Sequence, residues 1–198
     1  MLNSFIIFPL LWGLGQAHAH ETRDGRVHVS LGSLTYQTQY ENDRDEVEAP
    51  IQGSLGLVVN GDVGEFGSLE VGMFYLDKLF LRELNNEVLV EKIKRLYMTI
   101  GYRRWVTDRF GIGLSAFTSY SMGDPDRIHS TSGGDPGFQT SAHDTSDHGV
   151  DASFLYEFYK KDGNIGVIDL RSSYSLSPRE DEDGNHLALF IAFKKRTR

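Results

Sequence analysis

The stretch from Tyr97 to Tyr120 alternates between apolar and small polar residues with a period of two. Successive side chains of a strand lie on opposite faces, so this alternation predicts two β-strands, each with one apolar face. The short segment from Val106 to Arg109 separates them and predicts a hairpin with aromatic residues at its bend. The apolar face could meet either a protein core or lipid. On the second strand it comprises Phe110, Ile112, Leu114, Ala116, Thr118 and Tyr120.

The same alternation recurs along most of the chain and predicts eight strands. In the first of them the apolar residues change face midway, so either a bulge near Gly32 shifts the phase or the predicted register is mistaken. The apolar residues concerned are Val27, Val29 and Leu31 on one face, and Leu34 and Tyr36 on the other. The predicted strands are Arg26–Tyr40, Ile51–Asn60, Phe66–Leu81, Val88–Trp105, Phe110–Tyr120, Val150–Tyr159, Ile165–Leu176 and Leu187–Phe193.

The connections between the predicted strands alternate in length. The second, fourth and sixth are short turns, whereas the first, fifth and seventh are long and polar, with an irregular segment over about 122–148. The third connection, Asn85-Asn86, is short, but its flanking strands exceed the roughly 9–11 residues that a tilted strand needs to cross a bilayer. We therefore expect that hairpin to project beyond the membrane. An up-and-down barrel sorts short turns to one side and long loops to the other.

The less apolar faces of the strands distinguish a membrane barrel from a soluble sheet. They carry Gly, Ser, Thr and Asn with a balanced set of charges, which suits a narrow interior where each buried charge needs a partner. We predict that these charges form a network that plugs the lumen rather than a channel. Its members would be Glu70, Glu91, Arg95, Arg103, Asp151, Glu157, Asp169 and Arg171.

In this pattern and topology the sequence resembles the small eight-stranded outer-membrane barrels, such as the OmpA transmembrane domain and OmpX. The resemblance implies an all-β, eight-stranded antiparallel up-and-down transmembrane β-barrel in the outer membrane of a Gram-negative-type bacterium. It implies a monomer in contact with outer-membrane lipid, lipopolysaccharide and the barrel-insertion machinery. The end of the chain departs from that pattern, because a basic stretch, Lys194 to Arg198, follows Phe193. We interpret the stretch as a short periplasmic tail.

An outer-membrane location also predicts aromatic residues at both edges of the lipid-facing band. Trp105 and Phe110, beside a short turn, are the candidates for the periplasmic girdle, and Tyr120 is the candidate for the outer one. A soluble, calycin-like carrier is the alternative fold. It predicts a hollow apolar interior, with Leu114, Phe154 and Leu189 pointing inward.

The first 19 residues read as a secretory signal peptide. An apolar run from Phe5 to Leu14 precedes Ala17-His18-Ala19, a small-x-small cleavage pattern. Residues 20–198 would then form a single barrel domain with the long loop at about 122–148. The formal net charge of −8 argues against nucleic acid as a partner, and the absence of cysteine excludes disulfides and thiolate metal sites.

The long fifth connection holds the candidates for a metal site. Imidazole and carboxylate ligands suit zinc or a similar divalent ion. The alternative is a solvated surface loop that binds nothing. The candidate ligands are His129, His143, Asp147 and His148.

Catalytic residues are not predicted, and a non-enzymatic role is favoured. The rival hypothesis is a hydrolase that modifies lipid A, which requires a serine, a histidine and an acid to converge at the outer rim. The candidate sets are His143, Ser146 and Asp147, or Ser175 and His186.

The long loops are acidic. Near the phosphates of lipopolysaccharide they would repel unless Ca²⁺ or Mg²⁺ bridged them, and the alternative is a solubilising charge layer without any bound cofactor. The acidic residues are Asp43, Asp45, Glu46 and Glu48 in the first loop, Asp124, Asp126, Asp135, Asp144 and Asp147 in the fifth, and Glu180, Asp181, Glu182 and Asp183 in the seventh.

Overall fold

The computed structural model describes residues 26–39, 50–131, 137–176, 182–183 and 185–196. Eight long antiparallel strands close into a barrel in the order β1-β2-β3-β4-β5-β7-β8-β10, with β10 paired back onto β1. This confirms the predicted fold class. The strands are β1 (Val27–Gln39), β2 (Gln52–Val63), β3 (Gly67–Leu84), β4 (Glu87–Trp105), β5 (Phe110–Ser121), β6 (Asp126–Ser130), β7 (Ser146–Lys161), β8 (Asn164–Ser175), β9 (Glu182–Asp183) and β10 (Asn185–Arg196).

The two ends of the barrel differ, as the connection lengths predict. One end, here called the turn end, carries the turns 64–66, 106–109 and 162–163 together with the first residue of β1 and the last residue of β10. The other end, the loop end, carries the long connections. Within the described residues, no helix is long and apolar enough to cross a membrane. The proposed signal peptide, residues 1–19, lies outside the described residues.

The apolar faces of the strands point away from the barrel axis. Leu114 is 66% exposed, and Phe154 and Leu189 are also exposed on the outside of the wall. The interior instead holds most of the buried charged side chains. The inward orientation of Leu114, Phe154 and Leu189, predicted for a calycin-like carrier, is therefore wrong for this chain.

The first strand keeps one register along its whole length. β1 pairs with both β10 and β2 without a shift, so the predicted bulge near Gly32 is absent from this strand. Leu34 and Tyr36 simply face inward and are buried. The outward face instead becomes polar toward the loop end, where Ser33, Thr35 and Gln37 follow Leu31. The apolar residues of β1 change from the outward to the inward face because the lumen contains an apolar layer at the height of Leu34 and Tyr36.

The β3–β4 hairpin extends well past its neighbours. β3 pairs with β2 only as far as Phe74, and β4 pairs with β5 only from Arg95 onward. The hairpin turn is tight because Asn85 and Asn86 both adopt positive φ, at 53° and 65°, which asparagine tolerates well. β3 and β4 span 18 and 19 residues, against 13 and 12 for β1 and β2.

Two predictions about chain segments need correction. The connection predicted as wholly irregular contains β6, which pairs with the projecting part of β4, and a 3-10 turn at Ser141–His143. β6 lacks an apolar face, so alternation does not reveal it. The basic stretch predicted as a tail after Phe193 continues β10 through Arg196, because Lys194 faces inward and is buried beside Glu157.

Candidate functional site in the barrel lumen

The eight predicted network residues all lie on the inward faces of their strands. They occupy alternate positions of their strands, so the same period that puts apolar residues outside puts these charges inside. Each is at most 5% exposed. Their placement is Glu70 on β3, Glu91, Arg95 and Arg103 on β4, Asp151 and Glu157 on β7, and Asp169 and Arg171 on β8.

Five of these residues form one central cluster. Arg103 donates hydrogen bonds to Glu70, at 2.9 Å from Nε to Oε2, and to Asp169, at 3.0 Å from Nη2 to Oδ2. Arg171 donates to Asp169 at 3.0 Å and to Asp151 at 3.2 Å, and it also bonds Glu70. Every charge in the cluster thus has an opposite charge beside it. This arrangement offsets the large cost of burying each charge.

The cluster spans the lumen from wall to wall. β3 and β8 are four strands apart in the closed ring of eight, so Glu70 and Arg171 start from opposite walls. Their side chains nevertheless meet in the middle. A barrel of this strand number is only wide enough for side chains to fill it. The cluster therefore connects the two walls at its height.

Toward the turn end lies a second polar set that the sequence did not indicate. His28 and Asp62 approach within 3.1 Å, and Ser68 donates to the other oxygen of Asp62 at 2.9 Å. The indole Nε1 of Trp105 donates to Ser68 at 3.0 Å. The Lys194 ammonium lies 5.0 Å from the Trp105 ring centre, within cation–π distance.

The prediction that Trp105 belongs to the lipid-facing girdle is therefore wrong. Its side chain is 3% exposed and lies inside the barrel. Trp105 lies two residues after Arg103, so the two share the inward face of β4. Beside it, Glu157 accepts from Lys194 at 2.9 Å and pairs with the partly exposed Lys160 at 2.8 Å.

An apolar layer separates the central cluster from the loop end. Tyr97 and Phe117 stack with ring centres 4.6 Å apart, and Phe74 and Phe190 meet edge to face at 5.6 Å. All four side chains are buried. Three of them, Phe74, Tyr97 and Phe117, lie on the faces that the sequence assigned to the lumen. The residues predicted for the lumen network are all charged, so the sequence analysis does not predict this apolar layer.

Residues 137–145, here called the cover segment, cross the loop end of the barrel. Arg95 donates from Nη2 to the carbonyl oxygens of Ser141 and Asp144, both at 2.9 Å. Arg82 donates to the carbonyl of Gln139 at 2.9 Å. Ala142 is fully buried against Phe80 and Ile93 of the projecting hairpin. Cationic side chains thus hold the cover segment by its backbone.

Glu91 is the acidic anchor of the cover segment. Its Oε2 accepts from the backbone N–H of Thr140 at 3.2 Å and from the Thr140 hydroxyl at 2.9 Å. Its Oε1 lies 3.1 Å from Nε2 of His143. Below it, Lys78 and Asp147 form a buried ion pair at 2.6 Å, and Ser175 donates to Asp147 at 2.5 Å.

The four candidate metal ligands do not come together. His143 is bonded to Glu91 and Asp147 is bonded to Lys78, while His129 and His148 are exposed. His148 and Asp147 are adjacent on β7 and so lie on opposite faces of the wall. In the part of the chain that the structure describes, no group of three or more His, Cys, Asp or Glu side chains could hold a metal ion.

The candidate hydrolase sets do not assemble at the outer rim. His186 lies 2.7 Å from a serine hydroxyl, but the serine is Ser173 rather than Ser175, and both side chains are buried in the lumen. Ser175 donates to Asp147 instead. His143 bonds Glu91, not Ser146. The lumen position keeps the Ser173–His186 pair away from lipid.

Comparison with solved structures places the barrel among known folds. The crystal structure of the outer membrane protein OprG from Pseudomonas aeruginosa aligns with a TM-score of 0.58 at 12% identity, over 92% of this chain and 100% of that one. The chain has the fold of the small eight-stranded outer-membrane barrels. This confirms the resemblance predicted from the sequence.

Two further structures align with lower scores. Ail, the attachment invasion locus protein of Yersinia pestis, crystallised with the heparin analogue sucrose octasulfate, gives a TM-score of 0.47 at 9% identity, over 87% of this chain and 99% of that one. AlkL, an outer membrane protein solved in lipid bilayers, gives 0.42 at 8% identity, over 100% and 97%. No protein-family model and no curated protein matches the sequence.

The other two girdle candidates lie on the outside of this outer-membrane barrel fold. Phe110, the first residue of β5, is half-buried and lies parallel to Phe154 with ring centres 6.4 Å apart. Tyr120, the penultimate residue of β5, is 46% exposed. It shares one cross-strand row with Leu96 and Tyr75. The two candidates therefore lie at opposite ends of the same outer face.

Proposed function

We propose that this protein is an outer-membrane β-barrel whose lumen is closed, and that it acts structurally or in surface interactions through its loop end. The turn end lies in the periplasm and the loop end faces the exterior. Its role would be non-enzymatic, and residues 1–19 would be its export signal. Its folding partners are outer-membrane lipid and the barrel-insertion machinery.

The membrane location is supported by the outer surface of the wall. Exposed apolar side chains follow every long strand, as expected where lipid replaces water. The long strands have 12 residues or more, which is enough to span the hydrocarbon region when tilted. The fold shared with OprG agrees with this location.

The closed lumen rests on one observation above all, the contact of Glu70 with Arg171 across the barrel. The aromatic layer and the cover segment add two further obstructions nearer the loop end. Passage of an ion would require simultaneous separation of several buried ion pairs, each costly to break. The lumen side chains would therefore stabilise the barrel wall rather than line a path for ions.

The surface role is supported by the loop end. The β3–β4 hairpin, flanked by β6 and β9, projects as a small sheet beyond the other strands. Along the chain, the acidic loops follow β1, β5 and β8. Residues 41–49 and 177–181 of these loops lie outside the described residues. Next to lipopolysaccharide phosphates these carboxylates would be bridged by Ca²⁺ or Mg²⁺.

Cell fractionation and planar-bilayer recordings test this proposal. We expect the protein in the outer-membrane fraction, with a heat-modifiable band on a gel, and no stable conductance after reconstitution. Recovery as a soluble periplasmic protein would contradict the location. Steady ohmic channels from the folded protein would contradict the closed lumen.

A hydrolytic role has its own readout. Mass spectrometry of lipid A from cells with and without the protein would reveal a change in acylation if the rival hypothesis held. We expect no change.

A further inference from the structure

Three neighbouring strands form a distinctive patch on the outside of the turn end. The pairing of β10 with β8, and of β8 with β7, aligns the last residues of β7 and β10 with the first residues of β8 in rows across the sheet. One row comprises Phe193, Gly166 and Tyr159, and the row nearer the turn end comprises Lys195, Asn164 and Lys161.

The first row is an apolar shelf. Phe193 is 68% exposed and Tyr159 is 44% exposed, while the ring of Phe158 lies over Gly166, with its Cζ 2.6 Å from where a Cβ would stand. Gly166 thus leaves room for that ring between two flanking aromatic side chains. Large aromatic surfaces at this level suit the boundary between acyl chains and headgroups.

The second row is cationic. Lys161, Asn164 and Lys195 are all exposed, and among the described residues no carboxylate forms an ion pair with either lysine. Their inward neighbours behave differently, since Lys160 and Lys194 both pair with Glu157. The backbones of Lys161 and Lys195 stand about 10 Å apart, two strand spacings, with the Asn164 amide between them.

We propose that this patch is a binding site for the headgroup of an anionic phospholipid. The two lysines would bind the phosphate from either side, the Asn164 amide would donate to its oxygens, and the acyl chains would lie along Phe193 and Tyr159. Lysine binds phosphate as a compact charge on a long flexible stem. Asp162, in the adjacent turn, is the nearest acid along the chain. The two lysines and this one acid leave the patch with a net positive charge.

The choice of lipid rests on the proposed function, because the turn end then lies at the periplasmic leaflet. A phosphate at this site could come from a glycerophospholipid or from lipopolysaccharide. The shallow shelf and the position at the turn end favour the glycerophospholipid.

The test uses the full chain folded into nanodiscs of phosphatidylcholine with a minor share of phosphatidylglycerol. After gentle extraction, native mass spectrometry identifies the lipids that remain bound. We expect the wild type to retain phosphatidylglycerol preferentially, and K161Q/K195Q to retain about fivefold less for each lysine removed. The matched control K92Q/K94Q removes two lysines from the projecting part of β4 and should behave like the wild type.

Three outcomes would overturn the site. They are no lipid preference in the wild type, an equal loss in both double variants, and tighter retention of lipopolysaccharide through Lys161 and Lys195 in a parallel nanodisc series. A chain that gives no heat-modifiable band in any nanodisc contradicts the proposed function itself. A folded chain without lipid preference contradicts only this inference.

Discussion

Arg171 contacts three carboxylates, those of Glu70, Asp151 and Asp169. Its side chain is 2% exposed, so these ion pairs are shielded from bulk water. Glu70 and Asp169 would then share Arg103, whereas Asp151 would lose its ion pair. At the scale of single residues, the stability of the barrel therefore depends on a few cations whose removal leaves several buried charges unpaired.

Arg171→Ala should lower the free energy of unfolding by about 3–5 kcal/mol, because it leaves carboxylates buried without their partner. Urea titration of the heat-modifiable gel band in lipid measures the change. Arg109→Ala is the control, since Arg109 lies in a turn with its side chain 50% exposed. Equal midpoints for the two variants would show that the cluster does not hold the wall together.

Leu114→Arg tests the opposite face of the wall. Leu114 lies in the middle of β5 and is 66% exposed, so in a membrane the substitution would place a charge in lipid. We expect a destabilisation of about 2–4 kcal/mol in the same titration. Leu176→Arg makes the same exchange just beyond the end of β8 and should cost about 0–1 kcal/mol. If Leu114→Arg folded and inserted normally, the lipid-facing assignment would fail.

At the scale of elements, the projecting β3–β4 hairpin serves as the support of the cover segment. Arg82, Glu91 and Arg95 all come from this hairpin, and each bonds a different part of the segment. Most of these bonds go to backbone groups, so the identity of the covering residues matters less than the anchors. The long strands thus position three side chains above the mouth of the barrel.

Glu91→Ala should release the cover segment without unfolding the barrel. It removes the acceptor for Thr140 and the partner of His143, while the central cluster stays intact. Hydrogen–deuterium exchange should therefore accelerate at residues 140–144 and remain slow in β7 and β8.

Glu87→Ala is the matched control, because Glu87 is half-buried at the tip of the same hairpin. It should leave exchange in the cover segment unchanged. Equal exchange at residues 140–144 in both variants would contradict the anchoring role of Glu91.

At the scale of the whole molecule, the sequence predicts which strands form the barrel wall, and which way their side chains face, better than it predicts the contacts inside the lumen. Alternation of period two separates outside from inside, so the inward face of Arg103 and the outward face of Leu114 follow from it directly. The same rule assigns Trp105 to the lumen, since it lies two residues after Arg103. The girdle prediction for Trp105 instead rests on the general enrichment of tryptophan at membrane–water interfaces.

The contents of the lumen depend on distances between strands far apart in sequence. Nothing local links Glu70 to Arg171, and the ion pair of Lys78 with Asp147 joins a predicted strand to a segment predicted as irregular. β6 is held by edge pairing with β4, and the cover segment is held by hydrogen bonds from cationic side chains such as Arg95. Neither segment therefore shows a hydrophobic period in its sequence. Such contacts follow from the closed ring, which periodicity alone does not specify.

The contact between Glu70 and Arg171 joins residues 101 positions apart in the chain. Neither charge finds this partner until β3 and β8 face each other, and β1 and β10 close the same ring. A half-formed barrel would carry its charges without partners, at a cost of several kcal/mol each. We therefore expect folding and insertion to be a single cooperative event, in which the β1–β10 pairing and the central ion pairs form together.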